Sequence, residues 1–169
     1  MPVPGNGSSG IEQKTFGLKC AERDLAIEKK HFDSLRKSIE EGSPEGRVAY
    51  NVLIVSFTAF LDAHMTNEGC TGGTYCSVIN ETDRKFTNHD FLVMAEGFVK
   101  DGFPSFTEDD LAREDEALNA AYQAELSSLP ASCPSPDRPI GCISQEGLRD
   151  TERAWIRYRD AWVIFGRVR

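Results

Sequence analysis

The chain has 169 residues, 40% of them apolar and 27% charged, which is enough to bury the core of one domain or of two small ones. Its net charge of −8 argues against nucleic acid as a partner, because phosphates would be repelled, and favours a basic protein. Solubility alone is the other explanation of such a charge. No uninterrupted apolar run reaches the roughly 20 residues that span a bilayer, so we expect no transmembrane segment.

Residues 1–10 (MPVPGNGSSG) lack the basic and apolar regions of a signal peptide, so we interpret them as a disordered tag or leader remnant without an export signal. The first predicted helix covers about residues 15–41, because apolar residues recur there at helical spacing. These residues are Ala21, Leu25, Phe32, Leu35 and Ile39.

The second helix is predicted over residues 44–67, with Ser43 as N-cap and Pro44 in the first position. It is apolar on most faces, so we expect it to be buried at the centre of the fold. The third helix is predicted over residues 77–100. The break at 101–105, which contains Gly102 and Pro104, is the candidate boundary between two halves of the chain.

The fourth helix begins at Thr107, with Asp110 three residues later as in a capping box, and ends before Pro130. Its expected buried stripe is Leu111, Leu118, Tyr122 and Leu129. The fifth helix is predicted over residues 144–166, with Ser144 as N-cap. Its apolar side carries Leu148, Trp155, Tyr158, Trp162 and Phe165.

Four of the five cysteines form two closely spaced pairs in Gly-rich or Pro-rich stretches, Cys70 with Cys76 and Cys133 with Cys142. We predict two disulfides, each contributing about 2 to 3 kcal/mol in the chain-entropy model, and an oxidising compartment. Metal binding is the weaker alternative, since neither pair has the C-x-x-C spacing and the histidines are scattered. Cys20 is left over.

The two halves of the chain resemble each other. Phe57, Phe60 and Asp62 in the second helix correspond at an offset of 98 to Trp155, Tyr158 and Asp160 in the fifth. We therefore predict an all-α bundle of about five helices built from two degenerate tandem hairpin repeats, residues 11–102 and 103–169. The second repeat lacks a counterpart to the third helix, so we expect either a truncation at its C-terminal end or another segment that completes the bundle.

Two sequence segments in the second half are more distinctive than the apolar spacing of an ordinary helix. They are DEALNAAY, residues 115–122, and ERAWIRYRDA, residues 152–161. Together they resemble the lysozyme inhibitor family of the LprI type, whose pattern is D-x-x-L-N-x-x-Y followed by Q-R-A-W-I-x-Y-R-D-A. The resemblance is clear over residues 107–165 and divergent over 15–100. Glu152 stands where the family usually has Gln.

The resemblance implies a small helical bacterial protein, secreted or periplasmic, that inhibits lysozyme or a related peptidoglycan hydrolase and is not an enzyme. The motif residues are interpreted as mainly structural, because aromatic side chains alternate with the polar ones. They are Asp115, Leu118, Asn119, Tyr122, Trp155, Tyr158, Arg159 and Asp160. A binding surface formed by Arg153, Arg157 and Arg159 is the alternative.

We predict no catalytic residue, no cofactor and no metal site, since no nucleophile is placed beside a histidine. A meeting of His31 and His64 across the first hairpin is the weaker alternative. Candidate partner-binding residues lie in or beside the two disulfide-closed loops. From there an acidic side chain could enter the substrate cleft of a basic hydrolase. The candidates are Glu68, Tyr75 and Asp137. The competing functions are an immunity protein against a periplasmic toxin and an envelope assembly protein, and the oligomeric state stays open.

Overall fold

The computed structural model describes residues 26–27, 29–39, 41–71, 75–101, 107–133 and 141–168. This part of the chain is helical and contains no strand, which confirms the all-α prediction. Helix α1 is described at residues 26–27 and 29–39. It is followed by α2 (Pro44–Asn67), α3 (Cys76–Asp101), α4 (Glu108–Ser128) and α5 (Gln145–Arg167). The predicted start of α1 at residue 15 lies outside the described residues.

Three helices begin where the sequence places a polar N-cap. The hydroxyl of Ser43 accepts a hydrogen bond from the backbone N–H of Gly46, 2.9 Å, and Ser144 does the same for Gly147, 3.0 Å. Thr107 and Asp110 form the predicted capping box. Each cap satisfies a backbone donor that the first helical turn leaves without an intrahelical acceptor. The predicted N-termini of α2, α4 and α5 are therefore confirmed.

The core lies between α2 and α5, which run antiparallel, and is closed by α1 and α3. Its centre is a cluster of aromatic rings, in which Phe91 stacks on Phe57 at a centroid distance of 4.3 Å and lies 5.8 Å from Trp162. Helix α1 contributes Leu35 and Ile39 to this core. Burial of such apolar surface is the main stabilising contribution to the fold.

Helix α2 is central, as predicted, but it is not buried on all sides. Val48, Val52 and Val55 are exposed and line its outer face. No membrane span is predicted from the apolar runs of the sequence, yet α2 meets the length and composition requirements of one, with a mean hydropathy of 1.4 over 18 residues. Core helices of soluble proteins meet the same requirements but are mostly buried, whereas 28% of this window is buried, along the side on which α2 packs against α5.

Helix α4 lies outside the core, contrary to the prediction of a buried stripe. Leu118 is 37% exposed, Tyr122 and Leu129 are only half-buried, and the side chain of Leu111 lies outside the described ones. None of the described residues of α4 belongs to the buried core cluster. The helical spacing of these residues was predicted correctly, but spacing does not show whether a neighbouring helix covers the stripe.

Candidate functional site

Both disulfide-closed loops lie at the same end of the bundle. Cys70 and Cys76 join the end of α2 to the start of α3, and Cys133 and Cys142 join α4 to α5, which confirms both predicted pairs. The Asn67 amide, at the end of α2, donates to the hydroxyl of Thr151 in α5 over 3.4 Å. We call this end, residues 67–71, 75–80, 129–133 and 141–151, the disulfide pole.

A polar cavity of about 340 Å³ lies in the disulfide pole, between the end of α2 and the base of the second loop. It is lined by Asn67, Ser132, Cys133, Ser144, Glu146, Gly147 and Asp150. From the sequence, the two disulfide-closed loops are separate candidates for binding a partner. The structure places the bases of both loops at the same end of the bundle.

The base of the first loop is held by Asn80, one turn into α3. Its amide donates to the carbonyl of Cys70 over 3.0 Å, and its carbonyl oxygen accepts from the backbone N–H of Cys70 over 2.8 Å. Gly69 precedes this clamp, and a Cβ at Gly69 would overlap the carbonyl oxygen of Met65. Only glycine therefore fits where the chain leaves α2.

The base of the second loop is held by Gln145. Its backbone N–H donates to the carbonyl of Pro130 over 2.9 Å, and its side-chain amide donates to the carbonyl of Leu129 over 3.0 Å. These bonds satisfy carbonyl groups that follow the last turn of α4. The end of α4 is thus fixed to the start of α5, although α4 contributes little to the core.

Of the three tentative partner-binding residues, only Tyr75 is shown to be accessible. Its side chain is 78% exposed beside Cys76. The Glu68 side chain is only 19% exposed, and its Oε2 lies 3.3 Å from His64 Nδ1. This geometry favours an internal role for Glu68. Asp137 lies outside the described residues.

His64, in the last turn of α2, contacts two carboxylates, that of Glu68 at the C-cap of the same helix and that of Asp83 in α3. Besides the contact with Glu68, its Nε2 lies 3.2 Å from Asp83 Oδ2. The hydrogen bond with Glu68 raises the pKa of His64 above its ordinary value. Burial alone would raise the pKa of Glu68, but hydrogen bonds from His64 and Thr151 outweigh it and lower that pKa. The ion pair therefore stabilises the disulfide pole.

The motif residues form a small network centred on Arg159. The Nη1 of Arg159 lies 3.4 Å from Asp115 Oδ1, its Nη2 lies 3.0 Å from Asp160 Oδ1, and its guanidinium lies 5.5 Å from the ring centre of Trp155. The contact between Arg159 and Asp115 links α5 to α4. Asn119 is exposed. The exposed ion pairs contribute at most about 1 kcal/mol each to stability. They therefore help to orient α4 against α5 but do not make α4 part of the core.

The histidines do not meet. His31 lies 4.0 Å from Glu96 of α3, whereas His64 faces Glu68 and Asp83. Among the described residues, no group of three histidine, cysteine or carboxylate side chains is arranged to hold a metal ion. Arg153, which the alternative interpretation placed on a basic binding surface, forms an ion pair with Asp150 at 2.7 Å.

Replacing His64 with glutamine is expected to destabilise the protein by about 1 to 2 kcal/mol between pH 5 and 6.5, where the imidazolium and the Glu68 carboxylate are both charged. Since the pKa of His64 is raised, this contribution is lost as pH rises through that pKa. Since the pKa of Glu68 is lowered, it is also lost as pH falls through that pKa. Urea unfolding across this pH range measures the difference.

The matched control is His31→Gln, which changes a half-exposed histidine outside the disulfide pole. We expect its effect to stay within about 0.5 kcal/mol at every pH. A constant difference between His64→Gln and the natural chain over the whole pH range would contradict the ion pair.

Comparison with known proteins gives one match. A family model described as lysozyme inhibitor LprI matches residues 105–167, which contain α4, the second disulfide loop and α5. No curated protein and no solved structure matches the chain significantly. The two disulfides fit an oxidising compartment. Residues 105–167 of this chain are therefore similar to the family described as lysozyme inhibitor LprI.

Proposed function

We propose that this chain is a secreted or periplasmic binding protein, not an enzyme, that inhibits a lysozyme or a related peptidoglycan hydrolase. The observation that carries the proposal is the match of residues 105–167 to a family of lysozyme inhibitors. The disulfides support an exported location, because thiols in the cytosol are kept reduced.

The distribution of charge supports a basic protein as the target. Helix α4 has seven carboxylates and one cation, Arg113, so it carries most of the net charge of −8. Arg113 is itself paired with Asp110 and Glu114. Such a concentrated negative field accelerates association with a basic partner and weakens as salt is added.

The disulfide pole is the proposed contact surface. Tyr75 provides an exposed aromatic side chain next to a loop whose base is fixed by a disulfide and by Asn80. Aromatic residues on preorganised loops are typical anchors of protein interfaces, because little conformational entropy is lost on binding. We assign Glu68 to the support of this loop, and Asp137, which lies outside the described residues, stays a candidate from the sequence alone.

The test is the activity of an animal lysozyme in the presence of stoichiometric purified chain, at low and at high ionic strength. We expect inhibition that weakens as salt rises. Tyr75→Ser should weaken binding by at least about tenfold, since anchor residues contribute 2 kcal/mol or more. Val55→Ser, an equally exposed position on α2 away from the pole, should have no effect. Absence of both inhibition and a calorimetric signal would remove lysozyme as the target.

A second candidate function is an immunity protein that neutralises one cognate periplasmic toxin. In this proposal the residues outside the family match, which include the Cys70–Cys76 loop, would select the partner. This function predicts one tight partner recovered from the periplasm and no effect on animal lysozyme.

A further inference from the structure

The two halves of α3 are held to the bundle in different ways. In the second half, Phe91, Ala95 and Phe98 lie in the buried core cluster. In the first half, residues 77–90, every residue is exposed or only partly buried, and none belongs to that cluster. We call residues 77–90 the α3 arm. The arm begins beside Tyr75 and is about 21 Å long at 1.5 Å per residue.

Polar contacts join the α3 arm to the end of α2. Asn80 forms two hydrogen bonds with the backbone of Cys70. Almost one turn further along the arm, Asp83 Oδ2 lies 3.2 Å from His64 Nε2. Arg84 also contacts a carboxylate of α2, but over 3.8 Å and between exposed side chains. His64 therefore gives the arm a second, closer point of attachment. Two such points fix the direction of a helix, whereas the attachment at Asn80 alone leaves a pivot.

Only the protonated form of His64 can donate to both of its carboxylates. Its Nδ1 lies 3.3 Å from Glu68 Oε2, and its Nε2 lies 3.2 Å from Asp83 Oδ2. Imidazolium carries a hydrogen on both ring nitrogens, whereas neutral imidazole carries one. After loss of a proton, one nitrogen therefore presents a lone pair to a carboxylate. The Asp83 side chain is 45% exposed and can turn into solvent, whereas that of Glu68 is 19% exposed. The contact with Asp83 is thus the one that is lost.

The charges around His64 act in the same direction. Glu68 on its own helix and Asp83 on α3 both face the ring, and the hydrogen bond with Glu68 is the largest cause of the raised pKa of His64. On α5, burial is the main reason why the pKa of Glu152 is raised. Arg159 opposes this change and Glu68 adds to it. A neutral His64 would leave the carboxylates of α2, α3 and α5 without the cation between them.

We propose that His64 is a pH-sensitive latch for the α3 arm: its imidazolium joins the arm to α2, and loss of one proton lets the arm move about its attachment at Asn80. This release is local, because the second half of α3 stays in the core. Its effect on a partner rests on the proposed function, in which Tyr75, at the start of the arm, contacts a hydrolase. Since the pKa of His64 is raised, binding should weaken as pH rises through that pKa, because the arm must then be ordered on binding.

Hydrogen exchange of the full, disulfide-intact chain tests the latch without any partner. After correction for the intrinsic effect of pH, the amides of the α3 arm should open about fivefold more often at pH 8 than at pH 5.5, as expected for losing one half-exposed charged hydrogen bond. Amides of α5 should change less. His64→Gln and Asp83→Asn should both open at the faster rate at either pH. The matched control, His31→Gln, removes a histidine that faces Glu96 in the second half of α3 and should keep the pH dependence of the natural chain.

Calorimetry with an animal lysozyme at the same two pH values tests the link to binding. The natural chain should bind about threefold more tightly than His64→Gln at pH 5.5 and equally at pH 8, since only a protonated ring orders the arm in advance. The ratio of the two affinities cancels the titration of lysozyme itself.

The outcomes separate the latch from the proposed function. Equal opening of the α3 arm at both pH values, or a pH dependence that persists in His64→Gln, would overturn the latch. An affinity ratio that is the same at both pH values would overturn its control of binding. Opening that depends on pH and on His64, with no lysozyme bound at either pH, would support the latch and remove lysozyme as the target.

Discussion

Replacing Phe91 with alanine is expected to lower the free energy of unfolding by about 3 to 5 kcal/mol, the range for removing a fully buried phenylalanine. Its side chain is 1% exposed. Its ring lies against Phe32 of α1, Phe57 of α2 and Trp162 of α5, so one side chain holds all three helices to α3. A cavity at this point could not be filled by one neighbour moving alone.

The control is Phe86→Ala, which makes the same substitution five residues earlier on the opposite face of α3. Measured by urea unfolding at a concentration where the chain is monomeric, it should change stability by less than about 0.5 kcal/mol. Equal effects at Phe86 and Phe91 would mean that α3 does not present Phe91 to the core.

The positions of the helices could be predicted from the sequence because their ends are set by local chemistry. Ser43, Thr107 and Ser144 cap helices whichever partner those helices later meet. Pro130 and the glycines at 42 and 69 similarly end or separate helices through backbone geometry alone. These signals act within a few residues and do not require knowledge of the tertiary fold.

The partners of each helix face could not be predicted in the same way. Leu118 belongs to a regular apolar stripe, yet it is exposed, because α4 adjoins only the edge of α5. Val48 and Val55 similarly belong to the most apolar helix and face outward. Hydrophobic spacing shows which residues share a face, whereas burial depends on how many helices surround that face.

For the candidate site, too, local features could be predicted from the sequence and contacts between helices could not. Cysteine spacing predicted both disulfides, because short loops favour local pairing. The meeting of the two loops at one pole depends on the antiparallel arrangement of α2 and α5, which no local signal specifies. The link between His64 and Asp83 was missed for the same reason, since the two residues are 19 positions apart on different helices.

The tandem repeat stays a prediction, and one contact supports it. Phe60 and Tyr158, which correspond at the offset of 98, stack with their centroids 5.6 Å apart and their planes within 5°. If two antiparallel helices are related by a twofold axis, equivalent residues meet only at that axis. The crossing of α2 and α5 at this pair is the geometry that a duplicated hairpin would give.

The two disulfides should differ in their effects on stability, and the difference is the second large effect we expect. Replacing Cys70 and Cys76 with serine should lower the free energy of unfolding by about 2 to 3 kcal/mol, because that bond closes a loop between two helices of the core. The bond between Cys133 and Cys142 closes a longer loop, with a sequence separation of 9 rather than 6. Loop entropy alone would therefore make its removal slightly more destabilising.

The structure predicts the reverse order. The second disulfide attaches α4, which contributes no described residue to the core, so its loss should release α4 while the remaining helices stay folded. We expect the Cys133→Ser, Cys142→Ser variant to lose less than about 1 kcal/mol of global stability. Hydrogen exchange should become fast throughout α4 and stay slow in α2 and α5. Equal losses of global stability in the two double variants would show that α4 unfolds together with the core.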